Sequence, residues 1–182
     1  MSFQRLSRPR RNRKGPAIRA WARETALSVD HLILPMFIHD VEGTYDIPSM
    51  PGQRRLDRDN LFRSVEAGLE LGLRSVVLFP AVDASKKTSD GREAHNPSGL
   101  VPTRLRELRT RFPELVLITD VALDPYSSDG HDGLVGPDGR ILNDETVEVL
   151  CSQAVMQAEA GADVVAPSDM MDGRIGAIRR AL

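Results

Sequence analysis

Residues 145–167 read ETVEVLCSQAVMQAEAGADVVAP, a helical pattern that ends at a glycine and gives way at once to a short apolar run. The apolar side chains of Glu145–Ala160 recur at helical spacing and form one face, which predicts an amphipathic helix. Gly161 is expected to end that helix as the residue after its last turn. Val164–Pro167 is then expected to be a strand, so a helix leads directly into a strand.

The same alternation of strand and helix occurs further upstream. Ser98 is expected to cap one of the helices, and Asn143 or Asp144 another, because short polar side chains satisfy the free amides of a helix start. The predicted strands are Leu32–Ile38, Ser75–Phe79, Leu115–Val121 and Val164–Pro167. The predicted helices are Asp59–Gly72, Ser98–Phe112 and Glu145–Ala160, with a last one beginning near Asp172.

This order predicts an α/β fold with parallel strands and right-handed crossovers, which suits a doubly wound sheet or a (β/α)8 TIM barrel. A doubly wound nucleotide-binding sheet would need a glycine-rich turn after the first strand, where residues 39–43 instead read HDVEG. A barrel needs eight units and about 250 residues. Residues 31–182 hold about four units, so we expect the N-terminal part of a barrel. Because half a barrel leaves two bare strand edges, the chain is either a fragment or must pair with something else.

Composition excludes several classes of protein. The chain has 182 residues, of which 41% are hydrophobic and 27% charged, with a net charge of −2, as in ordinary globular proteins. Aromatic residues make up only 4%, which disfavours a surface for stacking bases or sugars. No apolar run approaches the roughly 20 residues of a membrane-spanning helix. The single cysteine excludes an internal disulfide and fits a reducing compartment, so we expect a cytoplasmic protein.

The first 30 residues form a basic segment, which we treat as an arm separate from residues 31–182. All eight basic residues before Glu24 lie in it, which leaves 16 basic against 26 acidic residues in the remainder. Three interpretations of the arm remain open, in this order of preference: a solvated tail, a segment that packs on an acidic neighbouring subunit, and a segment that binds nucleic acid. Pro9 and Pro16, and the lack of an amphipathic stripe, argue against a targeting presequence.

Two groups of polar residues follow predicted strands, at the end where barrel enzymes keep their reacting groups. Asp124 and Asp132 stand eight residues apart on either side of Gly130, so they can fold back to bind an amine or a hard cation, or act as an acid/base pair. Ser168 and Asp169 come directly after the fourth strand. The alternatives are that aspartate and glycine simply build a surface turn, and that Ser168 caps the next helix.

The motifs of the whole chain resemble those of porphobilinogen synthase, also called delta-aminolevulinic acid dehydratase. The resemblance rests on RPRRNR in the arm, on LPMFI, SMPGQRRL and LFPAVDASKKTSDG, and above all on ITDVALDPYSSDGHDG and AEAGADVVAPSDMMDGRIGAIR. It implies a TIM barrel whose N-terminal arm embraces a neighbour, usually in an octamer. It also implies a lyase that condenses two 5-aminolevulinate molecules into porphobilinogen for haem and other tetrapyrroles, with neither nucleic acid nor a membrane as partner.

Metal use follows from the same resemblance. Where many members of the family have three zinc-binding cysteines, this chain has Ala122, Asp124 and Asp132, so a thiolate zinc site cannot form. The resemblance is therefore to the aspartate-rich subtype, which uses magnesium, often with a monovalent cation. It implies that Asp124, Asp132 and Ser168 line the substrate pocket. It also implies that Asp169 and Arg174 lie near an allosteric magnesium without binding it directly.

The chain departs from the family in its lysines. The family forms Schiff bases through two lysines on later barrel strands, whereas the lysines here are Lys14 in the arm and Lys86 and Lys87 in a polar loop. We therefore expect the catalytic lysines to lie beyond this chain, which would be inactive alone. The alternative is a non-catalytic truncated form that associates with full-length subunits through its arm.

Overall fold

The computed structural model describes residues 9–182, and Arg5 and Arg8 of the predicted arm lie outside that range. The strands are β1 (Leu34–Ile38), β2 (Tyr45–Asp46), β3 (Arg54–Leu56), β4 (Ser75–Pro80), β5 (Val116–Val121), β6 (Leu134–Val135), β7 (Ile141–Leu142) and β8 (Val164–Pro167). The helices are α1 (Pro16–Trp21), α2 (Arg58–Glu70), α3 (Leu100–Arg111), α4 (Asn143–Glu159) and α5 (Arg174–Ala181).

The main sheet has six strands in the order β2-β3-β1-β4-β5-β8. Strands β1, β4, β5 and β8 pair in parallel and carry the helices between them, which confirms the predicted α/β part-barrel. Strand β3 also pairs with β1 in parallel, and β2 adds an antiparallel edge beyond it. The expectation of two bare edges is therefore wrong at one side, because the chain covers the β1 edge itself. Strand β8 stands at the other edge.

The two faces of the sheet differ in burial. The helix-facing side chains, such as Ile38, Leu78 and Leu117, are completely buried and form one core with the apolar faces of α2 and α3. The opposite face is less covered, and there Phe37 and Phe79 stack with ring centroids 5.5 Å apart. Because side chains alternate along a strand, one face of the sheet packs against the helices and the other faces the side that is the interior of a complete barrel.

The ends of α4 show which capping predictions hold. Gly161, with φ of +110°, ends the helix: its amide donates to the Ala158 carbonyl, and the Ala162 amide donates to the Gln157 carbonyl. This is the predicted glycine stop, with two otherwise free carbonyls satisfied. The predicted Asn143 or Asp144 cap is wrong, since the helix already begins at Asn143. The Asn143 side chain instead accepts a hydrogen bond from the Asp172 amide, and so ties α4 to the start of α5.

Other predictions needed smaller corrections. Ser98 does not cap α3, because the helix begins at Leu100 after Gly99, with no side-chain cap. The last helix begins at Arg174 rather than near Asp172, after Gly173 in a left-handed conformation. Short strands β2, β3, β6 and β7 occupy segments that were expected to be loops. Two-residue and three-residue strands hold too few side chains to produce a visible alternation.

The described part of the arm is exposed. Residues Arg10–Arg13 form a 3-10 turn and Pro16–Trp21 the short helix α1, and neither contains a buried residue. Trp21 is 85% exposed. Among residues 9–182, no helix is long and apolar enough to cross a membrane.

Candidate active site

The candidate site lies where β5 and β8 end. Asp120 is the second-last residue of β5, and Ser168 follows the last residue of β8, with Asp120 paired to Ala166 in the parallel register. The carboxyl ends of parallel strands meet at one edge of a sheet, so the loops that follow them share a surface. The predicted residues Asp124, Asp132 and Ser168 all belong to that surface.

Asp120 is the centre of a group of acidic side chains. Burial raises the pKa of its carboxyl above the ordinary value of an aspartate, and the nearby charges of Asp132 and Asp169 raise it further. A side-chain hydrogen bond to Ser168 acts in the opposite direction and favours the ionised form. Burial and neighbouring charges therefore disfavour the ionised carboxyl, and the hydrogen bond to Ser168 partly offsets them.

Asp124 is affected in the same way. Partial loss of hydration raises the pKa of its carboxyl, and repulsion from Asp132 and Asp120 adds to the effect, although the side chain keeps contact with solvent. Asp124 and Asp132, eight residues apart in sequence, thus lie close enough to feel each other's charge.

The loop after β5 is held in shape by its neighbour, the loop after β4. The Thr88 amide donates to the Tyr126 carbonyl at 3.1 Å, and the Ser128 amide donates to the Thr88 carbonyl at 3.1 Å. Within the loop, His131 Nδ1 accepts a hydrogen bond from the Gly133 amide at 2.9 Å, as expected for a loop histidine. These bonds fix the backbone on which the acidic side chains are mounted.

Asp169 and Arg174 form a buried ion pair beside the site. Asp169 Oδ2 lies 3.0 Å from Arg174 Nε, and the aspartate side chain is completely buried. Asp169 Oδ1 accepts a hydrogen bond from the Met171 amide at 2.7 Å. One carboxylate oxygen is thus held by a backbone amide, and the other lies beside the guanidinium without forming a hydrogen bond. In residues 9–182, no three histidine, cysteine, aspartate or glutamate side chains are placed to hold a metal ion together.

The two lysines of the loop after β4 have different surroundings. Lys86 pairs with Asp40, and the hydrogen bond and charge of that carboxylate raise the pKa of the lysine amine. A raised pKa keeps the amine protonated, which is the reverse of what a Schiff-base nucleophile needs. Lys87 Nζ lies 3.5 Å from the carbonyl oxygen of Asp124, in an exposed contact between the two loops.

A cavity of about 400 Å³ opens beside these groups. The stacked rings of Phe37 and Phe79 contribute apolar surface to it, and Asp124, Lys87 and Arg55 contribute charge. Its size and its mixture of apolar walls with a few charged groups are typical of a small-molecule site. Sequence reasoning missed Arg55, which belongs to the short strand β3 that was expected to be loop.

Comparison with known proteins shows the family of the chain. The family model of delta-aminolevulinic acid dehydratase matches residues 6–182. The chain belongs to that family. It is 59% identical over 177 residues to the chloroplastic delta-aminolevulinic acid dehydratase of Physcomitrium patens, covering 97% of this chain and 41% of the relative. It is 56% identical over 176 residues to enzyme 1 of Arabidopsis thaliana, also chloroplastic, covering 96% and 41%.

A solved member of the family has the same fold. The crystal structure of the Toxoplasma gondii porphobilinogen synthase, in complex with its reaction product porphobilinogen, superposes with a TM-score of 0.94 at 48% identity. The match covers 100% of this chain and 52% of the Toxoplasma chain. The chain thus spans about half the length of that protein, and 41% of the two plant relatives.

The expectation of a cytoplasmic protein is wrong. The relatives from Physcomitrium, Selaginella, rice and Arabidopsis are all named chloroplastic, which points to a plastid. The single cysteine reports only a reducing environment, and that is not a property of the cytoplasm alone.

Asp120 is the site residue that sequence reasoning passed over. It was counted as part of a buried strand, since the other residues of VLITDV are apolar except for one threonine. The available signal was its place one residue before the end of that strand. A charged residue at this position of a barrel strand indicates a site more strongly than the loop aspartates do, because turns are rich in aspartate for purely conformational reasons.

Proposed function

We propose that this chain supplies the acidic wall of a porphobilinogen synthase, a lyase that condenses two 5-aminolevulinate molecules into porphobilinogen. The observation that carries the proposal is the group formed by Asp120, Asp124 and Asp132. It stands at the carboxyl ends of barrel strands, with two raised pKa values, in a chain of this family. The activity is that of the longer protein to which such a half-barrel belongs.

The chemistry of 5-aminolevulinate fits these side chains. The substrate carries an ammonium group, and carboxylates that repel each other gain from a cation placed between them. Asp124 and Asp132 are proposed to bind that group. Asp120, whose pKa is raised by burial, is proposed to take and return a proton, with Ser168 stabilising the ionised form.

The amines that capture the substrate's keto groups are proposed to come from outside these 182 residues. Lys86 is tied to Asp40 with a raised pKa, and Lys87 contacts a backbone carbonyl at the rim. Neither lysine lies on a barrel strand. The chain alone is therefore proposed to be inactive.

For the metal, we propose magnesium rather than zinc, together with a monovalent cation. The positions of the family's zinc thiolates hold Ala122, Asp124 and Asp132, so the soft sulfur ligands that zinc favours are replaced by a methyl group and two carboxylates. Asp169 and Arg174 are proposed to stand behind the metal, because their mutual ion pair and the Met171 amide occupy the carboxylate. No catalytic step of this chain is assigned to the metal.

The arm is proposed to join subunits, as in the octamers of the family. Arg11, Arg13 and Trp21 are exposed on it, and the remainder of the chain carries the excess of acidic residues. This exposed surface also favours the second candidate function, a truncated form that associates with full-length subunits. Mixing the chain with full-length enzyme and measuring mass by light scattering tests it: a mixed oligomer supports association, and two separate species contradict it.

Borohydride trapping tests the catalytic proposal. The 182-residue chain and the longer protein are each incubated with 5-aminolevulinate, reduced, and weighed by mass spectrometry. We expect a covalent adduct and porphobilinogen with the longer protein, and neither with the chain. An adduct on Lys86 or Lys87 would contradict the proposal that the reactive amines lie outside these 182 residues. A longer protein that makes no porphobilinogen would contradict the proposed function itself.

A further inference from the structure

Two glutamines of α4 are buried where an apolar side chain would ordinarily stand. Gln153 is 0% exposed and Gln157 is 1% exposed, and they lie four residues apart, on the same side of the helix. Burying an amide without hydrogen bonds is unfavourable, so a helix that keeps two of them in its core gains contacts that an apolar residue would not give.

Both amides reach the backbone of the segment that carries the acidic side chains. Gln157 Nε2 donates to the carbonyl oxygen of Asp120 at 2.9 Å, and Gln153 Nε2 donates to that of Ala122 at 3.3 Å. Ala122 lies just past the end of β5, between the two aspartates whose pKa values are raised. The glutamines therefore hold the chain on either side of the point where the strand becomes the loop.

Gln157 is itself oriented from the strand. Thr119 Oγ1 donates to Gln157 Oε1 at 2.7 Å, and both side chains are buried. Because the Asp120 carbonyl can only accept, the amide must turn its Nε2 group toward it, and the Thr119 hydroxyl then donates to Oε1 and holds that end of the amide. Thr119, Gln157 and Asp120 thus form a chain of contacts that sets the position of the Asp120 backbone.

We propose that Gln153 and Gln157 are positioning residues for the reaction, and that Thr119 orients Gln157. They fix the backbone at Asp120 and Ala122, and so the position of the Asp120 side chain at the end of β5. The inference rests on the proposed function, and the glutamines touch neither substrate nor metal. Because a site displaced by about 1 Å can lose a hundredfold in rate, two amide hydrogen bonds are enough to matter.

The test uses the longer protein with 5-aminolevulinate and compares kcat, KM and the pH profile. Gln157→Met and Gln153→Met keep the length of the side chain and remove its hydrogen bonds. We expect kcat to fall about tenfold for each, with KM changed less than threefold, and the acidic limb of the pH profile to move. Leu105→Val, in the core between α3 and the sheet, is the control for a general loss of stability.

Thr119 gives a milder pair of variants, in case a methionine variant does not fold. Thr119→Val removes the hydroxyl that orients Gln157, and Thr119→Ser keeps it. We expect Thr119→Val to lose two- to fivefold in kcat with a moved acidic limb, and Thr119→Ser to behave as the natural protein.

The outcomes separate the two proposals. If the unmodified longer protein is active but Gln157→Met and Thr119→Val lose no more kcat than Leu105→Val of equal Tm, or leave the pH profile in place, the positioning role is overturned. If the unmodified protein makes no porphobilinogen at all, the proposed function has failed instead.

Discussion

The loops after β4 and β5 are both long, polar and rich in aspartate, yet the pKa values of their carboxyl groups are shifted in opposite directions. In the loop after β4, hydrogen bonds from Ser85 lower the pKa of Asp83, and Thr88 and Arg92 lower the pKa of Asp90 to about 2. At the end of β5, burial raises the pKa of Asp120. An aspartate that shapes a turn is therefore stabilised in its charged form, whereas burial at the candidate site disfavours the charged form of Asp120.

The largest expected effect is on catalysis. In the longer protein, Asp120→Asn keeps the shape of the side chain and removes its ability to exchange a proton, so we expect kcat to fall about 10²-fold or more. The matched control is Asp83→Asn in the loop after β4, which should stay within about twofold of the natural enzyme because Asp83 only shapes a turn. Steady-state assays of porphobilinogen formation measure both. Equal losses in the two variants would remove the distinction between the loops.

The next effect is on stability and has a definite sign. Because the folded pKa of Asp124 is raised, the folded state binds more protons than the unfolded state, and the free energy of unfolding falls as pH rises through the window between the two values. Asp124→Asn removes that loss. Because the side chain is exposed and screened by solvent, the effect is small: we expect its Tm to exceed that of the natural protein by no more than about 2 °C at pH 8, and the gain to vanish at pH 3. Thermal unfolding across this range checks it, and a gain that is largest at low pH would contradict the assigned sign.

The smallest effect comes from the other loop and has the reverse sign. The pKa of Asp90 is lowered to about 2, so its contribution is present above the unfolded value of about 4 and is lost as pH falls toward 2. The side chain is 54% exposed, which keeps the contribution small. Asp90→Asn should lower Tm by about 1 °C at pH 7 and by nothing measurable at pH 2. A drop that persists at pH 2 would mean that the asparagine disturbs the turn rather than the charge.

The fold was accessible from sequence where side chains repeat with a clear period. Strand β4 was predicted to within one residue, and the glycine stop at Gly161 is where it was expected. Helix starts were less accessible. Asn143 has the chemistry of a cap, but it is engaged by the start of α5, a contact that sequence spacing does not reveal.

The candidate site was accessible only in part for a similar reason. Asp124 and Asp132 stand out because they flank a flexible glycine, and Ser168 because it follows a strand. Asp120 and Arg55 were hidden, one inside an apolar run and the other on a three-residue strand that is defined by its pairing with β1 and β2. The sequence alone does not show how far each carboxyl is removed from solvent, and that partial burial produces the raised pKa values.

Trp21 gives the exposed arm a practical consequence. It is the single tryptophan of the chain, and its indole ring is 85% exposed on α1. Tryptophan fluorescence therefore reports on the arm with no background from the sheet or its helices. When a neighbouring subunit covers the arm, the emission should shift to the blue and resist quenching by iodide, so assembly can be followed optically on unlabelled protein.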